Sequence, residues 1–148
     1  MTKKPLTART IAIALPLVFV GAAFAADAVG GPDQVRDLLQ KAGYSDIRDI
    51  EFDHGLWEAE AHQGADRRHD IAIDPATGEI FDAKARPVAL DAAAVRAALT
   101  QAGYQNLRDL DRDGAVWEAD ATAPDGTAVE LRVSGYDGRV LHREVDDD

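Results

Sequence analysis

The sequence predicts an α+β protein of two tandem repeats, each a single α-helix packed on an antiparallel β-sheet of three to four strands, behind a signal peptide. Three observations carry that prediction. First, QVRDLLQKAGYSDIRDIEFDHGLWEAEA from Gln34 lies over AVRAALTQAGYQNLRDLDRDGAVWEADA from Ala94, an ungapped offset of 60 residues. Second, the apolar residues of each copy fall at helical spacing and then alternate, with turn residues between. Third, the chain opens with a basic head, an apolar run and a small-residue ending. Self-similarity at this period marks one supersecondary unit used twice.

The leader spans 1–25. Lys3, Lys4 and Arg9 precede an apolar run from Ile11 to Val20, and Ala23-Phe24-Ala25 offers the small residues that a signal peptidase reads, so cleavage is expected after Ala25. A membrane span needs about 20 apolar residues; this run is shorter and contains Pro16. The mature form is therefore expected to be periplasmic or secreted and not membrane-spanning. The chain has no cysteine, so packing and not disulfides must hold it together.

Repeat 1 is expected over 31–83. Gly31-Pro32-Asp33 opens a helix, with proline where a missing N–H costs nothing, and Val35, Leu38, Leu39 and Ala42 form one apolar face. Gly43 ends it, since the left-handed residue after a helix favours glycine. Trp57, Ala59 and Ala61 then alternate with Glu58, Glu60 and His62, and Ile71 and Ile73 with Asp70, Ala72 and Asp74, as half-buried strands do. Turns fall at Asp53-His54-Gly55, Gly64-Ala65-Asp66 and Pro75-Ala76-Thr77-Gly78. A linker is expected over 84–90, with Pro87 inside it. Repeat 2, over 91–145, restates the plan: Asp91 caps a helix whose face is Val95, Ala98, Leu99 and Ala102, Gly103 ends it, and turns recur at Asp113-Gly114, Pro124-Asp125-Gly126 and Gly135-Tyr136-Asp137-Gly138. An acidic tail, 146–148, closes the chain. A lone unit of about 60 residues buries too little surface to be more than marginal, so the two copies should dock. Each tryptophan shares a strand face with two alanines and reads as core.

The formal charge is −11, and loss of the leader's three positive residues takes it to −14. Such a surface repels nucleic-acid phosphates and anionic headgroups; a basic protein or a cation is the expected company. Asp109, Asp111, Asp113, Gly114 and Asp120 match the spacing of a calcium loop. That loop needs a helix on either side, whereas Gly103 ends the helix early and Pro124-Asp125-Gly126 breaks the exit, and the first copy has His54 at the required glycine. A hairpin with acids on its wet face is the preferred reading, with calcium at Asp109, Asp111, Asp113 and Asp120 the alternative. His54, His62, His69 and His142 do not recur between copies, and alternation sends His62 and His69 to opposite faces, with His69 partly buried. Ser45 and Ser134 occupy no strand-to-helix elbow, and HExxH, a phosphate loop and a dinucleotide fingerprint are absent. No catalytic residue, metal site or cofactor is expected.

AGYSDIRDIEFDHGLWEAEA with RRHDIAIDPATGEIFDA, and AGYQNLRDLDRDGAVWEADA with DGTAVELRVSGYDGRVLHRE, resemble two PepSY domains over about Gln34 to Glu144. The marks are Ala-Gly-Tyr after the helix, the Trp-Glu-Ala strand, and the apolar strand running into Asp-Pro-Ala-Thr-Gly-Glu-Ile. In the second copy Ser134-Gly135-Tyr136-Asp137-Gly138 replaces Asp74-Pro75-Ala76-Thr77-Gly78, so no role of Asp74 carries to Ser134 by likeness. The resemblance implies a non-enzymatic binding module without catalytic residues. It implies that the partner is a peptidase, inhibited or regulated, or another envelope protein.

Overall fold

The computed structural model describes residues 28–146; the expected leader with Ala25, and Asp147 and Asp148 of the tail, lie outside them. The elements run α1 (Pro32–Lys41), β1 (Tyr44–Asp53), β2 (Leu56–Gln63), β3 (His69–Ile73), β4 (Ile80–Phe81), α2 (Ala92–Gln101), β5 (Gln105–Asp113), β6 (Val116–Thr122), β7 (Ala128–Ser134) and β8 (Val140–Val145). They form two four-stranded antiparallel sheets ordered β1-β2-β3-β4 and β5-β6-β7-β8. The protein is α+β, with one helix preceding each sheet.

Both helices begin and end where local chemistry dictates. Pro32 opens α1 after an extended Gly31 that supplies no side-chain cap, whereas Asp91 caps α2 by accepting a hydrogen bond from the Ala94 N–H at 2.8 Å. Val35 and Leu39, and Val95 and Leu99, are fully buried. Ala42 and Ala102, read in sequence as part of the apolar face, are exposed. They are the C-cap residues, already past the last turn, where the chain swings out through Gly43 and Gly103 at φ of 90° and 93°.

The first strand of each sheet is bent twice. Asp46 and Asp49 in β1, and Asn106 and Asp109 in β5, hold positive φ between 44° and 51°, a conformation that Asp and Asn tolerate better than other side chains. Each marks a register shift: Ser45, Arg48 and Glu51 face His62, Glu60 and Glu58 in turn, three residues of β1 for every two of β2. The inward positions consequently recur every third residue, at Tyr44, Ile47 and Ile50, and again at Tyr104, Leu107 and Leu110. An arginine from each helix serves these bends, Arg36 donating to the Ile47 carbonyl at 2.9 Å and Arg96 to that of Leu107 at 3.1 Å.

Each helix packs on its own sheet. Val35, Leu39, Ala59, Ala61, Ile71 and Ile73 build the first core, and Val95, Leu99, Trp117, Ala119, Ala121, Leu131 and Val133 the second. A third core lies between the units: Leu56 and Phe81 from one side meet Ala115, Val116 and Tyr136 from the other, with Ala72, Ala83, Val88 and Leu141 around them. This corrects the wet-face reading of the strands. The face opposite the helices, which carries Glu58 and Glu118, is closed in part by the other unit, because Leu56, Ala72 and Val116 give it apolar positions that must be covered.

Segment 84–90 is fastened at both ends. The Asp82 carboxylate accepts from the Lys84 N–H at 2.7 Å, and the Ala89 and Leu90 N–H groups both reach the Gly135 carbonyl, at 3.1 and 3.0 Å. The chain before α1 does the same job for the first unit, where the Val29 N–H donates to the Pro75 carbonyl at 2.7 Å.

Candidate functional site

The buried polar residues concentrate where the units meet. Arg132, on β7, has a side chain only 5% exposed and is flanked by two carboxylates, Glu58 at 2.8 Å and Glu118. Burial lifts the Glu58 carboxyl above its usual range against the pull of Arg132, and Asp113, Asp53 and Glu51 push the same way as burial. Arg139, before β8, reaches Asp74 at 3.5 Å and pairs with Glu79.

Asp82, directly after β4, is the second centre. Its side chain is buried and accepts from the Tyr44 hydroxyl at 2.8 Å and from His69 Nε2 at 2.9 Å, while its own backbone N–H and carbonyl both meet the Tyr136 hydroxyl of the second unit at 2.9 Å. Burial alone would raise the Asp82 carboxyl. The bonds donated by the Lys84 N–H, Tyr44, His69 and the Ala85 N–H outweigh it and hold the group below its usual range. Burial raises Tyr44 in turn, reinforced by Asp82. The Tyr136 ring stacks on Phe81 at 5.5 Å and lies under the Arg86 guanidinium at 4.0 Å. The Asp82 carboxylate, the Tyr44 and Tyr136 hydroxyls and His69 Nε2 are all engaged in these bonds, and His69 Nδ1 lies 3.0 Å from the Arg67 carbonyl, so the chemistry of the cluster goes into holding a turn and a neighbouring unit.

The aspartates singled out in sequence lie along a hairpin. Asp111 stands opposite Glu118, Asp120 opposite Arg108 and Asp113 opposite Val116; Asp109 occupies one of the β5 bends. Asp113 also joins Asp49, Glu51, Glu58, Glu60 and Asp70 around a hollow of about 190 Å³. Among the described residues no three His, Asp or Glu side chains are grouped to hold a metal ion. His69 pairs across the ladder with Ala61 and so shares its inner face, while His62 lies on the other. Trp57 is half-buried and donates its Nε1–H to the Val29 carbonyl at 2.8 Å, and Trp117 is buried in the second core.

Two features escaped the sequence reading. Arg132 is the more important; the signal available was an arginine at the position equivalent to Ala72, on a strand face otherwise lined by acids. The other is that Ser134 does repeat one task of Asp74. Asp74 accepts from the Ala76 N–H at 2.8 Å and the Thr77 hydroxyl at 2.9 Å, and Ser134 Oγ accepts from the Tyr136 and Asp137 N–H groups at 3.2 and 3.3 Å, so both brace the same turn.

The open surface carries a groove of about 680 Å³ between the end of the β1–β2 hairpin and β8, lined by Phe52, His54, Gly55, Pro75 and His142 to Val145. No helix among the described residues is long and apolar enough to cross a membrane. Compared with known proteins, the chain matches the family model described as peptidase propeptide and YPEB domain over residues 9–84, just over half its length. No curated protein and no solved structure matches it. The matched stretch contains α1 to β4 with the Ala-Gly-Tyr, Trp-Glu-Ala and Asp-Pro-Ala-Thr-Gly segments whose geometry is set out above, and on that match the protein belongs to the PepSY family.

Proposed function

We propose that this protein is a non-enzymatic, extracytoplasmic binding module that engages a protein and inhibits or regulates a peptidase, with residues 31–83 and 91–145 acting as two copies of the PepSY unit after removal of 1–25. The family match over α1 to β4 carries this reading, because modules of this family are of the propeptide and inhibitor type and generally non-catalytic. The fate of the buried polar groups supports it: Asp82, His69, Tyr44 and Arg132 are occupied in turns and in the junction of the units. What the molecule offers outward is sheet edge and acidic surface, suited to pairing with an extended segment of another protein.

The test uses the mature chain, immobilised against an extracytoplasmic extract and added to secreted peptidases with a fluorogenic substrate. A retained peptidase, or a stoichiometric fall in peptidase rate, is the expected result; no retained protein and no slowed peptidase would sink the reading. It requires no cofactor. The alternative, calcium at Asp109, Asp111, Asp113 and Asp120, is separated by terbium luminescence. Micromolar, stoichiometric binding lost on Asp113→Ala would replace a protein partner with a cation.

A further inference from the structure

We propose that the partner docks in the groove between β8 and the β1–β2 hairpin, adding to the open edge of β8 as an extended strand that carries an apolar side chain flanked by lysine or arginine. This rests on the protein-binding reading above and names where and what it binds. Among the described residues Phe52 and Val145 are the two large hydrophobic side chains left exposed, at 55% and 51%. They belong to different units, yet they line the same groove. Single exposed apolar residues need no explanation; two converging from separate units mark a surface built to be covered.

The backbone says what covers it. Four consecutive residues of β8, His142 to Val145, line the groove. Successive side chains point to opposite faces of a strand, so an unbroken run can border one groove only along the strand's edge. β7 occupies the other edge. The Asp146 N–H donates to the Ala128 carbonyl at 3.0 Å, and alternation along an antiparallel pair then turns the N–H and C=O groups of Arg143 and Val145 away from β7, toward the groove. The other edges are poorer templates: β1 and β5 are each bent twice, and β4 has two residues.

The far wall supplies the side-chain seat. Phe52 meets Trp57 edge to face at 5.1 Å, and beyond them Val29, Gly30 and Pro75 complete an adjoining apolar hollow of about 400 Å³. Charge selects the flanks. Arg143 is drawn to Asp125 at 2.9 Å and His54 to Asp53 at 2.8 Å, which leaves the exposed Glu144, on a chain of formal charge −11, to set the sign of the potential. An acidic strand would be repelled there.

The probe is a dansyl-labelled Lys-Val-Thr-Val-Lys amide titrated into the full mature chain and followed by anisotropy. Val145→Pro removes one outward N–H and no bond to β7, as proline on an edge strand allows; Phe52→Ser removes the apolar wall at an exposed position. Both variants should melt like the parent and bind the probe about tenfold more weakly or less. A Glu-flanked probe, and one with the valines replaced by serine, should lose as much. Failure of the parent to bind the probe, or undiminished binding by both variants, overturns the proposal. If a peptidase is slowed equally by parent, Val145→Pro and Phe52→Ser, the groove is wrong and the protein-binding reading survives. Probe binding lost in both variants with no peptidase slowed and no protein retained supports the groove and removes the peptidase.

Discussion

Each half of the molecule runs one helix into a four-stranded antiparallel sheet, and the halves differ where they touch. Positions identical in both copies, such as Val35 and Val95, Leu39 and Leu99, or Gly43 and Gly103, lie in the helices, cores and caps. The residues that reach across the junction mostly stand at positions the repeat does not keep. Arg132 answers to Ala72, Tyr136 to Ala76, Asp82 to His142, and the Arg139–Glu79 pair is a charge reversal of one repeated position. His142 packs over Gly55, where any side chain would run into its imidazole, and the equivalent of Gly55 is Ala115. Identity between copies reports what the shape needs, and divergence reports how unlike halves were fitted together.

That contrast can be broken most forcefully at the shared tryptophans. Trp117, enclosed in the second core, should cost about 4 kcal/mol on change to alanine, and half-buried Trp57 about 3 kcal/mol; urea unfolding of the two variants measures both, and the opposite ranking would mean that the strap at Val29 carries more of the first unit than its exposure suggests. At the divergent positions, Arg132→Met leaves Glu58 and Glu118 facing each other without their cation. A loss of about 2–3 kcal/mol is expected, discounted because both acids are partly exposed, and adding Glu58→Gln with Glu118→Gln should recover most of it.

The pH dependence sharpens the comparison further, because His142 replaces Asp82 in the second unit. The folded Asp82 carboxyl lies below its unfolded value of about 3.9. Its contribution is therefore present above about pH 4 and fades as pH falls through the folded value. Parent and Asp82→Asn should differ most in melting temperature at neutral pH and converge in acid. Tyr44 is raised, so its contribution holds below about pH 10 and is lost as pH climbs beyond. The smallest effect is at the helix starts: Gly31→Asp, copying the Asp91 cap, should add a few tenths of a kcal/mol, seen as a slight rise in melting temperature.

The helices were legible because Val35, Leu38 and Leu39 and their counterparts follow a period that only a helix satisfies, and because Gly43 and Gly103 stop it. The later strands were legible through Trp57, Ala59 and Ala61. The first strand of each unit was harder, since its bends at Asp46 and Asp49 convert a period of two into one of three. Aspartate or asparagine recurring at that interval, where the chain is otherwise extended, is the trace they leave. The junction was least legible. Burial there depends on a second sheet closing over the first, and an acid such as Glu58 looks the same in sequence whether it faces water or Arg132. The groove beside β8 has the same origin, for Phe52 and Val145 are brought together only by docking.

The third core has a last consequence. Leu56 and Phe81 on one side, and Val116 and Tyr136 on the other, pack against each other across the junction, so neither half can melt without baring the apolar floor of its neighbour. Despite its internal duplication, the molecule should behave in a calorimeter as a single cooperative block with one heat-absorption peak, and a half cut out at Pro87 should be far less stable than half of the whole.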